Sequence, residues 1–289
     1  MYKEAINFIT AALVTIAIPA CSNGKSEEQI KAEDLYSQAQ SKYDSTNYDE
    51  AIVYIDSLVK TYPGIIDVQR NAMHLKTLIV EKRTIADSIA NDSIIFANKA
   101  LVDSLAKQFR FVKTKDMVEG YSVLNSIGAD RLVKATGIEP RINEAGDIYL
   151  LSSLYGNAVG HTSLRVSGTN GQVETGVVPQ DNANNYRFRD GSTQVEMVTF
   201  SKEKCDTFCQ FIAANRNEKL ALSFCGRKST QIALTDRAKA EIATTYDYAS
   251  KKAELKHAED MRLYYSKKLQ ITRRQIRATA TDITGDKKD

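Results

Sequence analysis

Two long segments without proline or glycine constrain the fold of this 289-residue chain more than any other feature. They cover residues 65–108 and 235–281. Proline breaks a helix interior and glycine weakens it, so each segment is predicted to form one helix, roughly 65 to 70 Å long at about 1.5 Å per residue. The segment between them, residues 109–234, follows a different pattern and is predicted to be a separate domain.

Apolar residues repeat along both predicted helices. On the first they occupy heptad-like positions at Leu75, Leu78, Ile85, Ile89 and Phe96, with Lys82 and Asp92 as polar interruptions. On the second the stripe is weaker and consists of Ile242, Ala249, Leu255, Ala258, Tyr265, Leu269 and Ile276. Such stripes are typical of helix pairs, so one prediction is an antiparallel stalk that carries the central domain at its tip. The alternative is that each helix packs separately on the globular part.

The central segment alternates apolar and polar residues with the period of a β-strand. The strand-like runs are FRFVKTK, DIYLLSSLY, HTSLRV, QVETGVV, NYRF, TQVEMVTF, KLALSFC and TQIAL. Hairpin turns are predicted at Thr169-Asn170-Gly171 and at Asp190-Gly191, and short helices at residues 116–127 and 201–215, the second with Ser201 as its N-cap. The fold class is therefore α+β, with a central antiparallel β-rich domain or decorated β-sandwich.

Residues 32–63 have the pattern of two short antiparallel helices. If Ala32 is the first position, the spacing resembles one tetratricopeptide repeat, with matching residues at Leu35, Ala39, Tyr48, Ala51, Ile55, Leu58 and Pro63. The resemblance covers about a tenth of the chain and implies a helical hairpin of a kind that binds other proteins. Since stacked repeats need neighbours to bury their faces, the following helix or another element is expected to cover the hairpin. Residues 32–108 are thus predicted to form one helical region.

The N-terminus predicts where the protein is located. The apolar run INFITAALVTIAI, residues 6–18, follows Lys3; it is shorter than the about 20 residues that span a bilayer and fits a signal peptide. It ends in Ile18-Pro19-Ala20-Cys21, which resembles the lipobox of bacterial lipoproteins. The resemblance implies that residues 1–20 are removed, that the lipidated Cys21 anchors the protein to the membrane of the cell envelope, and that residues 21–31 form a tether. Ser22 after the anchor favours the outer membrane, and the alternatives are a soluble secreted protein or a buried N-terminal helix.

The remaining cysteines are Cys205, Cys209 and Cys225. Cys205 and Cys209 lie four residues apart in the helical pattern that also contains Phe208 and Ile212, so we expect both to be buried as small apolar residues. The three histidines fall in three different segments, and no Cys or His spacing is typical of a metal site. The sequence therefore predicts no metal and no cofactor.

The overall net charge of +3 conceals an uneven distribution. Residues 22–63 hold four lysines against eight acidic residues, whereas residues 250–277 hold nine basic residues against three acidic ones. The basic helix is expected to be solvated and partly paired with the acidic hairpin, or to contact a membrane or a partner. The residues proposed for that contact are Lys267, Lys268, Arg273, Arg274 and Arg277. Nucleic acid is not a predicted partner of an exported protein, and residues 282–289 are a short tail.

Catalytic motifs are scarce in the sequence. His161 lies near Ser163, but no nucleophile elbow is present, and the acidic residues of the central segment are spread over separate strands and loops, so no catalytic residue is assigned. The segment 179–189, PQDNANNYRFR, combines amides, aromatic rings and guanidinium groups that suit a sugar or peptide ligand. The predicted ligand-binding residues are Tyr186, Arg187, Phe188 and Arg189.

The leading hypothesis combines these observations. We expect a lipid-anchored cell-envelope protein without catalytic activity, whose helices hold a β-rich domain that binds a protein or glycan partner. One alternative is an envelope hydrolase that acts on a polymer through the β-rich domain and His161. The other is a structural spacer, for which only the long helices matter.

Overall fold

The computed structural model describes residues 25–115, 117–129 and 131–285, with side chains as far as Thr281. Over these residues it contains five helices and ten strands, and the strands form two antiparallel sheets, so the predicted α+β class is confirmed. The described residues divide into two compact units, the first with residues 25–83 and 271–285 and the second with residues between 84 and 270. Cys21 and the predicted signal peptide lie outside the described residues. Among the described helices, none is long and apolar enough to cross a membrane.

The helices are α1 (Glu27–Asp44), α2 (Tyr48–Thr61), α3 (Ile66–Ala106), α4 (Lys202–Ala214) and α5 (Asp236–Gly285). The two segments without proline or glycine thus form α3 and α5, as predicted. Helix α1 begins at Glu27, within the predicted tether, because the Ser26 hydroxyl caps it by accepting a hydrogen bond from the Gln29 N–H at 3.2 Å. The boundary predicted at residue 31 is therefore wrong.

The first unit contains the predicted helical hairpin, α1 and α2. Its buried face holds Ala32 and Ala39 from α1 and Ala51, Ile55 and Leu58 from α2, and all five side chains are fully buried. The beginning of α3 covers this face through Val68, Ala72, Leu75 and Ile79. The expectation that the following helix completes the hairpin's core is confirmed, while the resemblance to a tetratricopeptide repeat stays a prediction.

Helices α3 and α5 contact each other in antiparallel orientation within the second unit. The Asn91 side chain donates to the Ala258 carbonyl oxygen at 2.8 Å, and Arg262 pairs with Asp92 at 2.9 Å. The predicted apolar register is wrong in this part of α3, because Ile89 and Phe96 are exposed. The buried positions are instead Thr84, Asn91, Ile95, Asn98 and Val102.

Contacts between the same two helices also occur within the first unit, where Arg273 pairs with Glu81 at 2.8 Å and His74 Nδ1 lies 2.7 Å from the Thr279 hydroxyl. The pairing that the stalk prediction required is therefore present in each unit taken by itself. The alternative is also partly correct, because Ile242 and Ala249 of α5 belong to the core of the β-rich region. The position of that region at a tip stays a prediction.

The strands are β1 (Phe109–Val112), β2 (Tyr121–Leu124), β3 (Gly137–Asn143), β4 (Ile148–Tyr155), β5 (Ser163–Gly168), β6 (Gly171–Glu174), β7 (Asn185–Asp190), β8 (Thr193–Phe200), β9 (Leu220–Cys225) and β10 (Ser229–Leu234). One sheet has the order β1-β2-β3-β4-β8-β7 and the other β10-β9-β5-β6. Both sheets contribute to one core, in which Leu150 and Phe200 from the first sheet and Leu164 and Phe224 from the second are fully buried. Helix α4 adds Phe208 to the same core.

Two strands differ from the sequence-based expectation. The helix predicted over residues 116–127 is wrong in its described part, because Tyr121–Leu124 form β2 and pair with both β1 and β3. Strand β3 was not predicted, and it contains Pro140, a residue that argues against a strand interior. Pro140 is tolerated because β2 pairs with β3 only at Ile142 and Asn143, so no neighbour on that side requires the missing N–H.

Both predicted hairpin turns are confirmed, between β5 and β6 and between β7 and β8. Gly191 in the second turn has φ of +61°, a conformation that favours glycine. Helix α4 occupies the predicted position after Ser201, and its Cys205 and Cys209 are fully buried beside Phe208, as expected. Burial raises the pKa of the Cys209 thiol well above its usual value, which makes this thiol unreactive.

Candidate functional site

The four residues predicted to bind a ligand lie on β7, an edge strand of the six-stranded sheet. The loop predicted over residues 179–189 therefore ends before Asn185. Successive side chains of a strand point to opposite faces, so Arg187 and Arg189 share one face while Tyr186 and Phe188 share the other. The structure thus divides the four predicted residues between two faces instead of bringing them to one.

A pocket of about 540 Å³ lies beside β7. Its charged lining consists of one carboxylate, Glu196, and the basic side chains of Arg187, Arg189, Arg227 and Lys228. Phe188 and Gln194 also contribute to the wall. Positive charge therefore dominates this recess. We call it the β7 pocket.

Two glycines bring the walls of the β7 pocket together. Gly226, in the turn that carries Arg227 and Lys228, contacts the backbone of Gly160 so closely that a Cβ would collide with the Gly160 carbonyl oxygen. Gly160 itself has φ of +72°, and a Cβ there would lie 3.5 Å from Arg187 Nη2. The chain needs glycine at both positions to bring the basic turn and β7 to one recess.

Behind the β7 pocket, Ser152, His161 and Glu196 form a buried hydrogen-bonded chain. His161 Nε2 lies 2.9 Å from the Ser152 hydroxyl, and Nδ1 lies 2.8 Å from Glu196 Oε2. The Ser152 hydroxyl has one hydrogen and also lies 3.2 Å from the Val198 carbonyl oxygen. The Ser152 hydroxyl therefore connects the His161 ring to the backbone of β8.

Within this hydrogen-bonded chain, the Glu196 carboxylate accepts three hydrogen bonds. Burial by itself raises its pKa, but hydrogen bonds from the His161 side chain and from the backbone N–H groups of His161 and Gly160 more than offset this effect, so the pKa lies below its usual value. The two backbone bonds measure 2.9 Å and 2.6 Å. Glu196 therefore ties the loop at residues 160–161 to β8.

Ser152, His161 and Glu196 are arranged like a catalytic triad, but they are sealed from solvent. Ser152 and His161 are fully buried, and neither lines the β7 pocket. Ser163, the nucleophile considered from the sequence, donates instead to Glu174 at 2.6 Å. A substrate carbonyl must reach a nucleophile at hydrogen-bond range, so this geometry supports a structural role for the chain.

The other acidic residues that could support glycosidase chemistry each have their own partner. The ion pairs are Glu139–Arg141, Glu144–Lys113, Asp147–Lys202 and Glu174–Arg165. Glycosidases need two carboxylates facing one substrate. Each of these four carboxylates is held by a basic side chain, and Glu196 is held by His161.

The amides predicted to bind a ligand before β7 are engaged within the protein. Asp181 accepts hydrogen bonds from the backbone N–H groups of Asn185, Ala183 and Asn184, which lower its pKa to about 2. The Asn185 side chain donates to the carbonyl oxygens of Val178 and His161 at 2.7 Å and 3.1 Å. These groups hold the loop against β7, so the ligand-binding potential of the segment lies in its arginines.

The opposite face of β7 lines a smaller cleft of about 320 Å³. Phe188 and Met197 lie there, with the buried Glu139–Arg141 ion pair at 2.6 Å. The stacked rings of Tyr186 and Phe188, whose centroids are 6.0 Å apart, belong to the same face. The aromatic residues predicted from the sequence therefore face a cleft that already contains a paired carboxylate.

The basic residues predicted on the C-terminal helix are distributed along α5. Lys267 and Lys268 belong to the second unit, and Arg273, Arg274 and Arg277 to the first. Arg273 is paired with Glu81, whereas Arg274 and Arg277 form no ion pair with any described residue. Part of this surface thus keeps unpaired positive charge.

The acidic hairpin has basic partners within the first unit. Its carboxylates Asp49 and Asp56 pair with Arg83 and Lys76 of α3. Helix α3 covers the hairpin, which brings these basic side chains within reach. Among the described residues of this unit, the hairpin forms no ion pair with residues 271–281 of α5, so the expected pairing is absent there.

No cluster of potential metal ligands occurs among the described residues. Comparison with families of known proteins, with curated proteins and with solved structures finds no match to this chain. Its function must therefore be inferred from the geometry of its own residues.

Sequence reasoning missed Glu196, Arg227 and Lys228. Glu196 could have been found, since the two-residue turn after Asp190 fixes the hairpin register and places Glu196 opposite Arg187. Arg227 and Lys228 carried no such signal, because their place at the pocket depends on a packing contact with a loop over 60 residues earlier in the chain.

Proposed function

We propose that this chain is a lipid-anchored cell-envelope protein that binds a protein or glycan partner and has no catalytic activity. The β7 pocket is the observation that carries this proposal. Its volume of about 540 Å³ falls within the usual range of ligand sites, about 300 to 1,000 Å³. Ser152 and His161, which carry reactive groups, are buried behind it, whereas basic groups suited to hold a ligand line its wall.

The helical parts of the chain fit the same role. Residues 21–26 connect the proposed anchor at Cys21 to α1, and the resemblance of the α1–α2 hairpin to a tetratricopeptide repeat favours a second contact surface for a protein. Arg274 and Arg277, which form no ion pair with a described residue, are suited to anionic headgroups or to an acidic partner. We propose that the protein is exported to the cell envelope, with the outer membrane as its favoured location.

Fatty-acid labelling tests the anchor. Cells that express the Cys21→Ser variant are expected to yield unlabelled protein that leaves the membrane fraction, because the thiol is the acylation site. Cys225→Ser is the matched control and should keep both label and membrane association. Unchanged labelling of the Cys21 variant would contradict the proposal.

Cross-linking in intact cells followed by purification from detergent-solubilised membranes tests partner binding. The wild-type chain is expected to recover a partner or glycan reproducibly, and the double variant Arg187→Ala/Arg189→Ala should recover less of it. Arg216→Ala removes an exposed charge that is paired with Asp247 and serves as control. Equal recovery by all three proteins, or recovery of nothing by any of them, counts against a binding role for the pocket.

A structural spacer is the second candidate, and the hydrogen-bonded pairing of α3 with α5 favours it. A spacer needs long helices held in register, which Asn91 and Arg262 provide in the second unit. In that case shortening both helices by matched heptads would impair the cell envelope, whereas substitutions in the β7 pocket would be silent.

A further inference from the structure

The charges of the β7 pocket do not balance. Four basic side chains line it, and the one carboxylate, Glu196, is already bonded to His161 and two backbone N–H groups. Arg187 Nε lies 3.8 Å from Glu196 Oε1, which offsets part of one positive charge. Within the described residues, Arg189, Arg227 and Lys228 form no ion pair. A recess lined by charge of one sign focuses the electrostatic potential and attracts ions of the opposite sign.

The Arg187 guanidinium also has an unused donor. Its Nε is buried and has no hydrogen-bond partner among the described residues, while Nη1 donates to Gln180 Oε1 at 2.6 Å. A buried donor without a partner costs free energy. Guanidinium groups bind carboxylates and phosphates through two parallel hydrogen bonds. Arg187 therefore has the chemistry to receive an anionic group in the β7 pocket.

The shape of the site favours a small polar ligand over an added peptide strand. An exposed sheet edge can accept another strand, and proteins block such pairing with charged side chains on the edge. Strand β7 carries Arg187, Arg189 and Asp190 within four residues. At the same time, Gln194 in the pocket wall, two residues before Glu196 on β8 and so on the same face, suits the hydroxyl groups of a sugar.

We propose that the β7 pocket binds an acidic glycan through a carboxylate or phosphate group. This inference rests on the proposed binding function and specifies the ligand class. Arg187 would bind the anionic group, and Arg227 and Lys228 of the β9–β10 turn would add further positive charge to the pocket. The binding free energy would then be largely electrostatic and sensitive to salt.

Calorimetric titration of the full-length protein in detergent tests this proposal. The probes are a trimer of galacturonic acid, a hexose phosphate, the corresponding neutral sugars and an acidic hexapeptide. At least one acidic sugar is expected to bind about tenfold or more tightly than its neutral counterpart, since a charge-assisted contact contributes at least that factor. Its affinity should fall as the salt concentration rises. The two acidic sugars separate a carboxylate site from a phosphate site.

Variants assign any binding to the pocket. Arg227→Ser/Lys228→Ser changes two exposed turn residues and should reduce affinity about tenfold or more with unchanged melting. Arg187→Lys keeps the charge but loses the paired donors and should also weaken binding, whereas Arg216→Ser, which removes an exposed charge elsewhere, should not.

Three results would overturn the proposal: no binding of either acidic sugar, equal affinity for acidic and neutral sugars, or tighter binding of the peptide. If the protein still recovers a pocket-dependent partner from cells, the ligand class is wrong and the proposed function stands. If acidic sugars bind in vitro but nothing is recovered from cells, the ligand class stands and the cellular function is wrong.

Discussion

The second unit contains two buried interfaces of different composition. The core between the two sheets is lined by apolar side chains such as Leu150, Phe200 and Phe224, which are fully buried. The buried face of α3 alternates amides with apolar side chains, since Asn91 and Asn98 are buried together with Ile95 and Val102. Buried amides are thus a regular part of this helix face.

The difference follows from where each element makes its backbone hydrogen bonds. Strands fix their register through backbone pairing with their neighbours, so the side chains in the sheet core are not required to set it. A helix satisfies its backbone internally, and only side chains can fix its register against a partner. Asn91, which donates to the Ala258 carbonyl oxygen, is a polar residue of this kind.

The largest expected effect is in the apolar core. Phe200→Ala should reduce the free energy of unfolding by about 3 to 5 kcal/mol, because it removes a fully buried ring and leaves a cavity. Urea unfolding followed by tyrosine fluorescence measures the loss, since the chain has 14 tyrosines and no tryptophan. Phe96→Ala removes the same ring from an exposed position and is the matched control. Similar losses for both variants would contradict the assigned core.

The next largest effect on the free energy of unfolding is expected at Glu196, the buried carboxylate between the sheets and the β7 pocket. Glu196→Gln should cost about 2 to 3 kcal/mol, because an amide cannot accept all the hydrogen bonds that His161 and Gly160 donate. Glu174→Gln, at a partly exposed ion pair, should cost less than about 1 kcal/mol.

The same carboxylate predicts a pH dependence with a definite sign. The folded-state pKa of Glu196 is lowered, so its stabilising contribution is fully present above its unfolded pKa of about 4.3 and is lost as pH falls through the folded value. Wild-type stability should therefore fall below about pH 4 more steeply than that of Glu196→Gln. Parallel curves would show that the carboxylate contributes little.

The sequence was sufficient to predict elements whose signal is local. The absence of proline and glycine predicted α3 and α5, and alternation predicted eight of the ten strands. Strand β3 contains Pro140, which argues locally against a strand and is tolerated only because of where β2 ends. The helix register failed for a related reason, because the buried face of α3 depends on α5.

The residues of the candidate site also divide into those that local sequence predicts and those that depend on a distant contact. Arg187 and Arg189 were found from local composition, and the strand period separates them from Tyr186 and Phe188. Arg227 and Lys228 reach the pocket because Gly226 contacts the backbone of Gly160. That contact brings together two loops that are distant in sequence, and no pattern within either loop predicts it.

A smaller effect is expected at the polar interface. Asn91→Ala should reduce the free energy of unfolding by about 1 kcal/mol, the usual contribution of one hydrogen bond. Asn91→Leu should recover or exceed wild-type stability while relaxing the register of α3 against α5. Double electron–electron resonance between spin labels on the two helices would detect this as a broader distance distribution. A loss of several kcal/mol in the leucine variant, with an unchanged distribution, would mean that Asn91 contributes stability and not register.

The smallest effect is expected on the outer face of α3. Ile89→Ser and Phe96→Ser should each change the free energy of unfolding by less than about 0.5 kcal/mol. Both residues lie largely in solvent, because the exposed fraction of the surface is 63% for Ile89 and 82% for Phe96. Ile95→Ser, one residue before Phe96, is the matched control and should be clearly destabilising because Ile95 is buried. If Phe96→Ser proved as costly as Ile95→Ser in the same urea titration, the apolar register predicted from the sequence would be the correct one, and the buried asparagines would not set the pairing of α3 with α5.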